Sequence, residues 1–268
     1  MTTPTDSEGV AIENRDGVLR ITLDRPSRKN SLDPPSVRRI VAALEAAATD
    51  DTLRVIVLAG NGSDFCSGAD WVASNAAGTR PRTGSLQRRT PLQAHRLVEL
   101  LTTTQLPVVC SVRGWAAGLG FQLALAADFT IAAESACFWE PFLERGFSAD
   151  SGSTWLLPRL VGVARAKELL LLGRKLSGTE AASWGIIYRA VPDGELESAT
   201  AALVEQLAGA ATVAVGLTKR CIQLGLETGL GESMQNESFA LELSSRTDDF
   251  REGMTAFRER RTPDFEGH

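Results

Sequence analysis

Two glycine-bearing segments decide how this chain folds: Phe65-Cys66-Ser67-Gly68-Ala69-Asp70 and Gly114-Trp115-Ala116-Ala117-Gly118-Leu119-Gly120-Phe121-Gln122-Leu123. Each follows an apolar run that predicts a β-strand. A glycine at such a turn lets the backbone approach a ligand closely. A helix beginning at about Leu119 would aim unpaired N–H groups and the positive end of its dipole at an acceptor. The pattern is that of an oxyanion hole, although plain packing is the commoner role of a Gly-x-Gly turn.

A nucleotide-phosphate loop is the other interpretation of these glycines. The run 118–120 lacks the third glycine of a dinucleotide fingerprint, and no Gly-Lys-Ser/Thr occurs anywhere in the chain. Both features are needed for the common phosphate-binding loops. The sequence therefore disfavours a nucleotide site.

Strand and helix patterns alternate up to Pro192, which predicts an α/β core with parallel strands buried by helices. The apolar spacing predicts strands at 18–23, 54–59 and 108–112 and helices at 34–49, 92–101 and 121–127. The polar stretch 73–90 predicts a loop because it contains Gly78, Pro81 and Gly84. After Pro192 the pattern is helical, so we predict a core over 10–194 and a helical C-terminal lobe over 195–268.

The composition fits one soluble globular unit with a sizeable core. Of the 268 residues 43% are hydrophobic and 23% charged, and the 28 basic and 33 acidic residues are interspersed. Such a balance disfavours nucleic-acid binding. The four cysteines show no Cys-x-x-Cys spacing, which disfavours disulfides and zinc. With no signal-peptide pattern and no apolar run of about 20 residues, we expect a cytoplasmic protein without membrane contact.

Motifs along the whole chain resemble those of the crotonase superfamily, also called the enoyl-CoA hydratase/isomerase family. Besides the two glycine-bearing segments, they are 21–26, 30–32, 54–60, 155–162, 182–187 and 251–257. The resemblance implies a ββα spiral core with a C-terminal helical lobe. It also implies assembly into homotrimers or hexamers (dimers of trimers) through that lobe, and an acyl-CoA substrate. Coenzyme A would enter as part of that substrate, with no separate cofactor and no metal.

The resemblance also assigns roles to particular residues. It implies that the backbone N–H groups of Ala69 and Leu119 hold the thioester oxyanion. Phe257 and Arg260 match positions that often reach a CoA bound by a neighbouring subunit, although a solvated basic helix end is an equal alternative for Arg260. The other contacts with the CoA ester are expected from Arg25, Ser67, Gly68, Asp70, Trp71, Gly118, Gln122 and Phe142.

Two departures from the family pattern bear on the reaction. A hydratase of this family resembles a two-carboxylate machine, but here Gln122 and Phe142 occupy the two glutamate positions. Neither side chain exchanges a proton near neutral pH. Glu140 and Glu144 flank Phe142, and we expect both on the solvated surface.

Asp150 matches the position where several family isomerases keep an acidic base. Its alternative role is to cap the helix that begins near Ser153. A catalytic role is favoured because walls of Phe142, Phe147 and Trp155 would raise the pKa of the carboxyl. By the resemblance, His95 falls where a dehalogenase of the family keeps its catalytic histidine, but a half-buried packing role is the commoner one for a helical histidine.

The sequence thus predicts isomerisation or hydration of an enoyl-CoA with Asp150 as acid and base. One alternative is an acyl-CoA hydrolase or ring-cleaving (retro-aldol or Claisen) enzyme acting on a bulky substrate. A second, from another class, is a non-catalytic acyl-CoA binding scaffold that has lost its glutamates.

Overall fold

The structure, a computed structural model, describes residues 9–70 and 82–268. Trp71 and the first part of the predicted loop, 73–81, lie outside the described residues. The strands are β1 Val10–Arg15, β2 Val18–Leu23, β3 Val55–Gly60, β4 Val108–Val112, β5 Trp115–Ala117, β6 Phe129–Ala133, β7 Cys137–Trp139, β8 Leu176–Ser177 and β9 Arg189–Val191. The helices are α1 Pro34–Ala47, α2 Ser85–Arg89, α3 Ala94–Thr103, α4 Leu119–Ala126, α5 Ser153–Leu172, α6 Gly178–Ser183, α7 Leu196–Ala208, α8 Thr212–Gly225, α9 Leu230–Ser244 and α10 Asp248–Glu259.

The nine strands of the described residues are divided between two sheets, and the chain passes repeatedly from one sheet to the other. The larger sheet has the order β1-β2-β3-β4-β6-β9 and is parallel except for the β1–β2 hairpin. The smaller has the order β5-β7-β8. Because β4 leads directly to β5 and then to α4, and Cys66 after β3 bridges Ala116 of β5, successive turns of chain stack as a spiral. The predicted ββα spiral is confirmed.

The core lies between the large sheet and its covering helices. Val55, Ile56, Val57 and Leu58 of β3 are completely buried, as expected for a parallel strand covered on both faces. The three predicted strands are present within a residue of their expected ends, and the predicted helices are present with shifted ends. The chain is helical from α7 to α10, whereas the boundary at 194/195 and the role in trimerisation stay predictions.

One part of the predicted loop is a helix instead. Residues Ser85–Arg89 form α2, and a 3₁₀ turn at Thr90–Leu92 connects it to α3. Leu86 and Leu92 are both exposed, so the segment lacks the apolar periodicity that would have revealed it.

Among the described residues no single helix is long and apolar enough to cross a membrane. The pair 193–208 and 212–225 meets the length and composition requirements only when taken together, and the two helices are bent by 103°.

A buried ion pair joins α8 to the core. Lys219 Nζ donates to Asp128 Oδ2 at 2.6 Å and to the carbonyls of Leu101 and Leu106 at 3.1 and 3.2 Å. Asp128 also accepts the N–H of Val108, the first residue of β4, at 2.7 Å. A charge network of this kind holds α8 against the start of β4 only while both partners are present.

We expect Lys219→Met to lower the free energy of unfolding by about 3–5 kcal/mol, because it leaves the Asp128 carboxylate in a low-dielectric site without its cation. Urea denaturation monitored by circular dichroism measures the change. The control is Arg246→Met, which removes an exposed pair with Glu242 and should cost about 0–1 kcal/mol. Equal effects of the two substitutions would contradict this role of Lys219.

Candidate active site

Backbone hydrogen bonds join the two glycine-bearing segments. The Cys66 N–H donates to the carbonyl of Trp115 at 2.8 Å, and the Ala117 N–H donates to the carbonyl of Cys66 at 2.9 Å. The Phe65 N–H donates to the carbonyl of Arg113 at 2.8 Å. These bonds form a short parallel ladder that sets Gly68 and Ala69 beside the start of α4.

The two segments can approach so closely because glycine, which has no side chain, stands at the points of contact. Gly68 has φ +97°, and a Cβ there would lie 2.8 Å from the carbonyl oxygen of Ala117 and 3.5 Å from the Leu119 nitrogen. A Cβ on Gly120 would lie 2.4 Å from the carbonyl oxygen of Cys66. Any larger residue at either position would push the segments apart.

Two N–H groups at this junction lack an internal acceptor. Leu119 is the first residue of α4, so its N–H has no partner within the helix. The N–H of the preceding Gly118 is already donated to the carbonyl of Trp139 at 2.9 Å. No acceptor among the residues that the structure describes takes the N–H of Ala69 or of Leu119. Both groups are thus available to a ligand oxygen.

A cavity of about 860 Å³ opens in front of these groups. Its wall includes the predicted positions 67–70, 118 and 119, and also Pro141, Phe142, Phe147, Asp150 and Ser151. The rings of Phe142 and Phe147 meet edge to face at 5.4 Å. The structure therefore brings the two N–H groups, an aromatic pair and the carboxyl groups of Asp70 and Asp150 to the same cavity, with Asp70 paired to Arg25.

Asp150 is half-buried on this wall. Burial raises the pKa of its carboxyl, while the hydroxyl of Ser151 and the nearby His95 oppose the rise. The helix α5 is capped at Gly152 with no side-chain hydrogen bond, and Ser153 donates to the main-chain oxygen of Asp150. The alternative role as a side-chain cap is therefore wrong.

Two neighbours of Asp150 differ from expectation. His95 is exposed on α3 rather than half-buried, and its charge lowers the pKa of Asp150. Trp155 does not line the cavity. It packs against the hydrophobic core, and the guanidinium of Arg159 lies 3.8 Å from the centre of its ring. The aromatic wall therefore consists of Phe142 and Phe147.

The prediction for Glu140 is wrong, because its side chain is buried at 2% exposure and faces the fully buried Gln122. Glu144 is exposed, as predicted. Gln122 lies behind the cavity wall and does not line the cavity, so the predicted contact of its side chain with substrate is not seen here. Glu140 is buried and not exposed because it directly follows β7, and the end of this strand directs its side chain toward α4.

Besides Gln122, three of the predicted CoA-binding residues with described positions do not line the cavity: Arg25, Phe257 and Arg260. Arg25 donates to Asp70 at 3.0 Å and to the carbonyl of Ser31 at 2.8 Å, so it mainly fixes the loop next to the cavity. Phe257 and Arg260 are exposed at the end of α10, away from the cavity, and their contact with a CoA in a neighbouring subunit stays a prediction.

Basic residues on the cavity wall were not anticipated. They are Arg38, Arg82, Arg89 and Arg145. Guanidinium groups suit phosphate and carboxylate ligands. The sequence does not predict this group, because its members come from separate parts of the chain and meet only in the folded structure. Within 9–70 and 82–268, no cluster of three or more His, Cys, Asp or Glu side chains is arranged to hold a metal ion.

Known proteins share the sequence pattern and the fold of this chain. The family model for enoyl-CoA hydratase/isomerase matches residues 13–268. The chain belongs to the enoyl-CoA hydratase/isomerase family. It is an enzyme of that family, and the resemblance found in its motifs is confirmed.

Relatives within the family differ in the reaction named for them. The chain is 38% identical to 1,2-epoxyphenylacetyl-CoA isomerase of Escherichia coli K12 over 94% of this chain and 95% of that one. It is also 38% identical to a probable enoyl-CoA hydratase of Rhodobacter capsulatus over 96% of this chain and 98% of that one. A crystal structure of enoyl-CoA hydratase from Bacillus anthracis matches with a TM-score of 0.90 and 33% identity, covering 97% of this chain and all (100%) of that one.

The close approach at Gly120 can be tested by adding a single methyl group. We expect Gly120→Ala to lower the free energy of unfolding by about 1–3 kcal/mol, because backbone atoms of Cys66 must move. The control is Gly231→Ala in α9, where a Cβ meets nothing within 4 Å and helix propensity favours alanine by about 1 kcal/mol. Chemical denaturation of both variants gives the comparison, and a neutral Gly120→Ala would show that the junction is looser than described.

Proposed function

We propose that this enzyme isomerises an enoyl-CoA through an enolate held by the N–H groups of Ala69 and Leu119, with Asp150 carrying the proton. The observation that supports this most strongly is the position of Asp150. It is a half-buried carboxyl on the cavity that the two unpaired N–H groups also border. A base and an oxyanion site on the same cavity are what proton transfer next to a thioester carbonyl requires.

The proposed steps use these groups in order. Asp150 Oδ takes a proton from the α- or γ-carbon of the substrate, and the electron pair moves onto the thioester oxygen. The two N–H dipoles stabilise that oxygen, and each lowers the activation barrier by about 2.7–4 kcal/mol by analogy with other oxyanion sites. Asp150 then returns the proton to the other carbon, so the double bond has moved and no atom is gained or lost.

Isomerisation is favoured over hydration for a chemical reason. One carboxyl group can remove and return a proton. Hydration, by the family resemblance, uses two carboxyl groups, one of which activates water. Phe142 replaces one of those and cannot activate water. Identity to relatives does not separate the two reactions, since the Escherichia coli isomerase and the Rhodobacter capsulatus probable hydratase are both 38% identical to this chain.

A bulky acyl group is favoured by the edge-to-face pair of Phe142 and Phe147. The same observation supports the second candidate, hydrolysis or ring cleavage of a ring-derived acyl-CoA. Release of free CoA separates the two, because isomerisation leaves the thioester intact. We also propose that the CoA phosphates lie against the arginines of the cavity wall, and that Phe257 and Arg260 serve a neighbouring subunit of a homotrimer.

We expect Asp150→Asn to lower kcat by about 10²–10⁴-fold while CoA-ester affinity changes little, because the amide cannot accept the proton. Spectrophotometric turnover assays and calorimetric titration measure the two quantities. Glu144→Gln, a change of an exposed carboxyl on the same wall segment, is the matched control and should retain activity. Full activity of Asp150→Asn would refute the assigned base.

The pH dependence of the wild type follows from the same group. The ionised form of Asp150 is the base, so kcat/KM should fall as pH falls through its pKa. Burial raises that pKa above the ordinary value of 3.8, so the acid limb should lie at higher pH than for an exposed aspartate. An acid limb unchanged by Asp150→Asn would assign the titration to another group.

The fate of solvent isotopes distinguishes isomerisation from hydration. In D₂O with H₂¹⁸O, an isomerase that exchanges its carboxyl proton places deuterium on the α- or γ-carbon and no ¹⁸O in the product. Mass spectrometry of the recovered thioester measures both labels. Incorporation of ¹⁸O into the acyl chain would establish hydration instead.

A further inference from the structure

A buried acid–amide pair lies directly behind the active-site wall. Glu140 Oε2 and Gln122 Nε2 are 3.5 Å apart, and the two side chains are 2% and 0% exposed. Gln122 belongs to the first turn of α4, the helix that supplies the Leu119 N–H. Glu140 precedes Pro141, which lines the cavity. The pair thus connects the helix that supplies the Leu119 N–H to the segment after β7 that lines the cavity.

The pair is incompletely satisfied. Gln122 Oε1 and Glu140 Oε1 are buried and have no hydrogen-bond partner among the described residues. A buried acceptor without a partner costs about 1–3 kcal/mol. If Glu140 is ionised, both oxygens are acceptors only. If it is protonated, one of its oxygens becomes a donor and the buried group carries no charge that needs a partner.

The charges around Glu140 favour the same form. No cation within 9–70 and 82–268 forms an ion pair with it, and the charge that acts on it is that of Asp150. Burial raises the pKa of Glu140 well above its ordinary value, the Asp150 charge raises this pKa further, and the Gln122 amide opposes the rise. Of the next charged side chains, Glu144 and Arg145 are exposed, and His95 acts on Asp150.

We propose that Glu140 is a positioning residue of this site that stays a neutral carboxylic acid through turnover, so that it adds no negative charge behind Asp150. This inference rests on the proposed function. Glu140 transfers no proton to substrate: the proton moves from carbon to Asp150 and back, and Glu140 keeps its own.

The reason lies in the reciprocity of the coupling. If the Asp150 charge hinders ionisation of Glu140, then an ionised Glu140 would equally hinder ionisation of Asp150. It would also place a second negative charge in the buried layer behind the cavity wall, where like charges interact strongly. Neutral Glu140 avoids both effects while its hydrogen bond to Gln122 fixes α4.

Infrared spectroscopy of the resting protein tests the protonation state without relying on turnover. We expect the carbonyl stretch of a protonated carboxyl at neutral pH, its loss in Glu140→Gln, and its persistence in the matched control Glu144→Gln. In Asp150→Asn its titration midpoint should move to lower pH, because the charge that raises the pKa of Glu140 is removed. Absence of the band at neutral pH, or an unmoved midpoint in Asp150→Asn, would overturn the proposal.

A second variant keeps the test decisive if Glu140→Gln does not fold. Gln122→Leu removes the amide that lowers the pKa of Glu140, so the midpoint should move to higher pH. An unchanged midpoint would overturn the proposal. Since no substrate is used, a failure to find isomerase turnover would contradict the proposed function alone.

The pH–rate profile separates a positioning role from a merely structural one. Ionisation of Glu140 at alkaline pH should reduce kcat in the wild type, and this alkaline limb should disappear in Glu140→Gln whatever its maximal rate. Glu144→Gln should retain the limb. An identical alkaline limb in Glu140→Gln would show that Glu140 serves packing only.

Discussion

The backbone ladder between Cys66 and the strand Trp115–Ala117 is the interaction on which the site depends. The carbonyl of Cys66 accepts the N–H of Ala117, and its oxygen lies 2.4 Å from the position that a Cβ of Gly120 would take. Two segments distant in sequence are therefore held within van der Waals contact. Because the donors that result are peptide N–H groups, the residue at 119 can be leucine without loss of the group that matters.

This arrangement separates two tasks. The N–H pair depends on the path of the backbone and on glycines at 68 and 120. In the proposed reaction, proton transfer depends on other side chains of the cavity wall, which can change while the fold persists. Here that wall carries an aromatic pair and Asp150, with the second carboxyl, Glu140, withdrawn behind it. The substrate class follows from the first task and the reaction from the second.

Local patterns predicted much of the fold, and contacts between distant segments account for the errors. The strand 108–112 and the turn at Gly118 were predictable because β-branched runs and glycines act locally. The burial of Glu140 was not, since only the pairing of β7 with β5 turns it toward Gln122. Similarly, α2 has no apolar stripe, and His95 is exposed although its neighbours Leu97 and Val98 are buried.

The most direct test is a crystal structure of the protein with a bound, slowly reacting acyl-CoA. The account requires the thioester oxygen to lie about 2.7–3.1 Å from both the Ala69 and the Leu119 nitrogen, with a carboxyl oxygen of Asp150 near the α- or γ-carbon. A thioester oxygen bound by any other pair of donors, or an acyl chain directed away from Asp150, would contradict it.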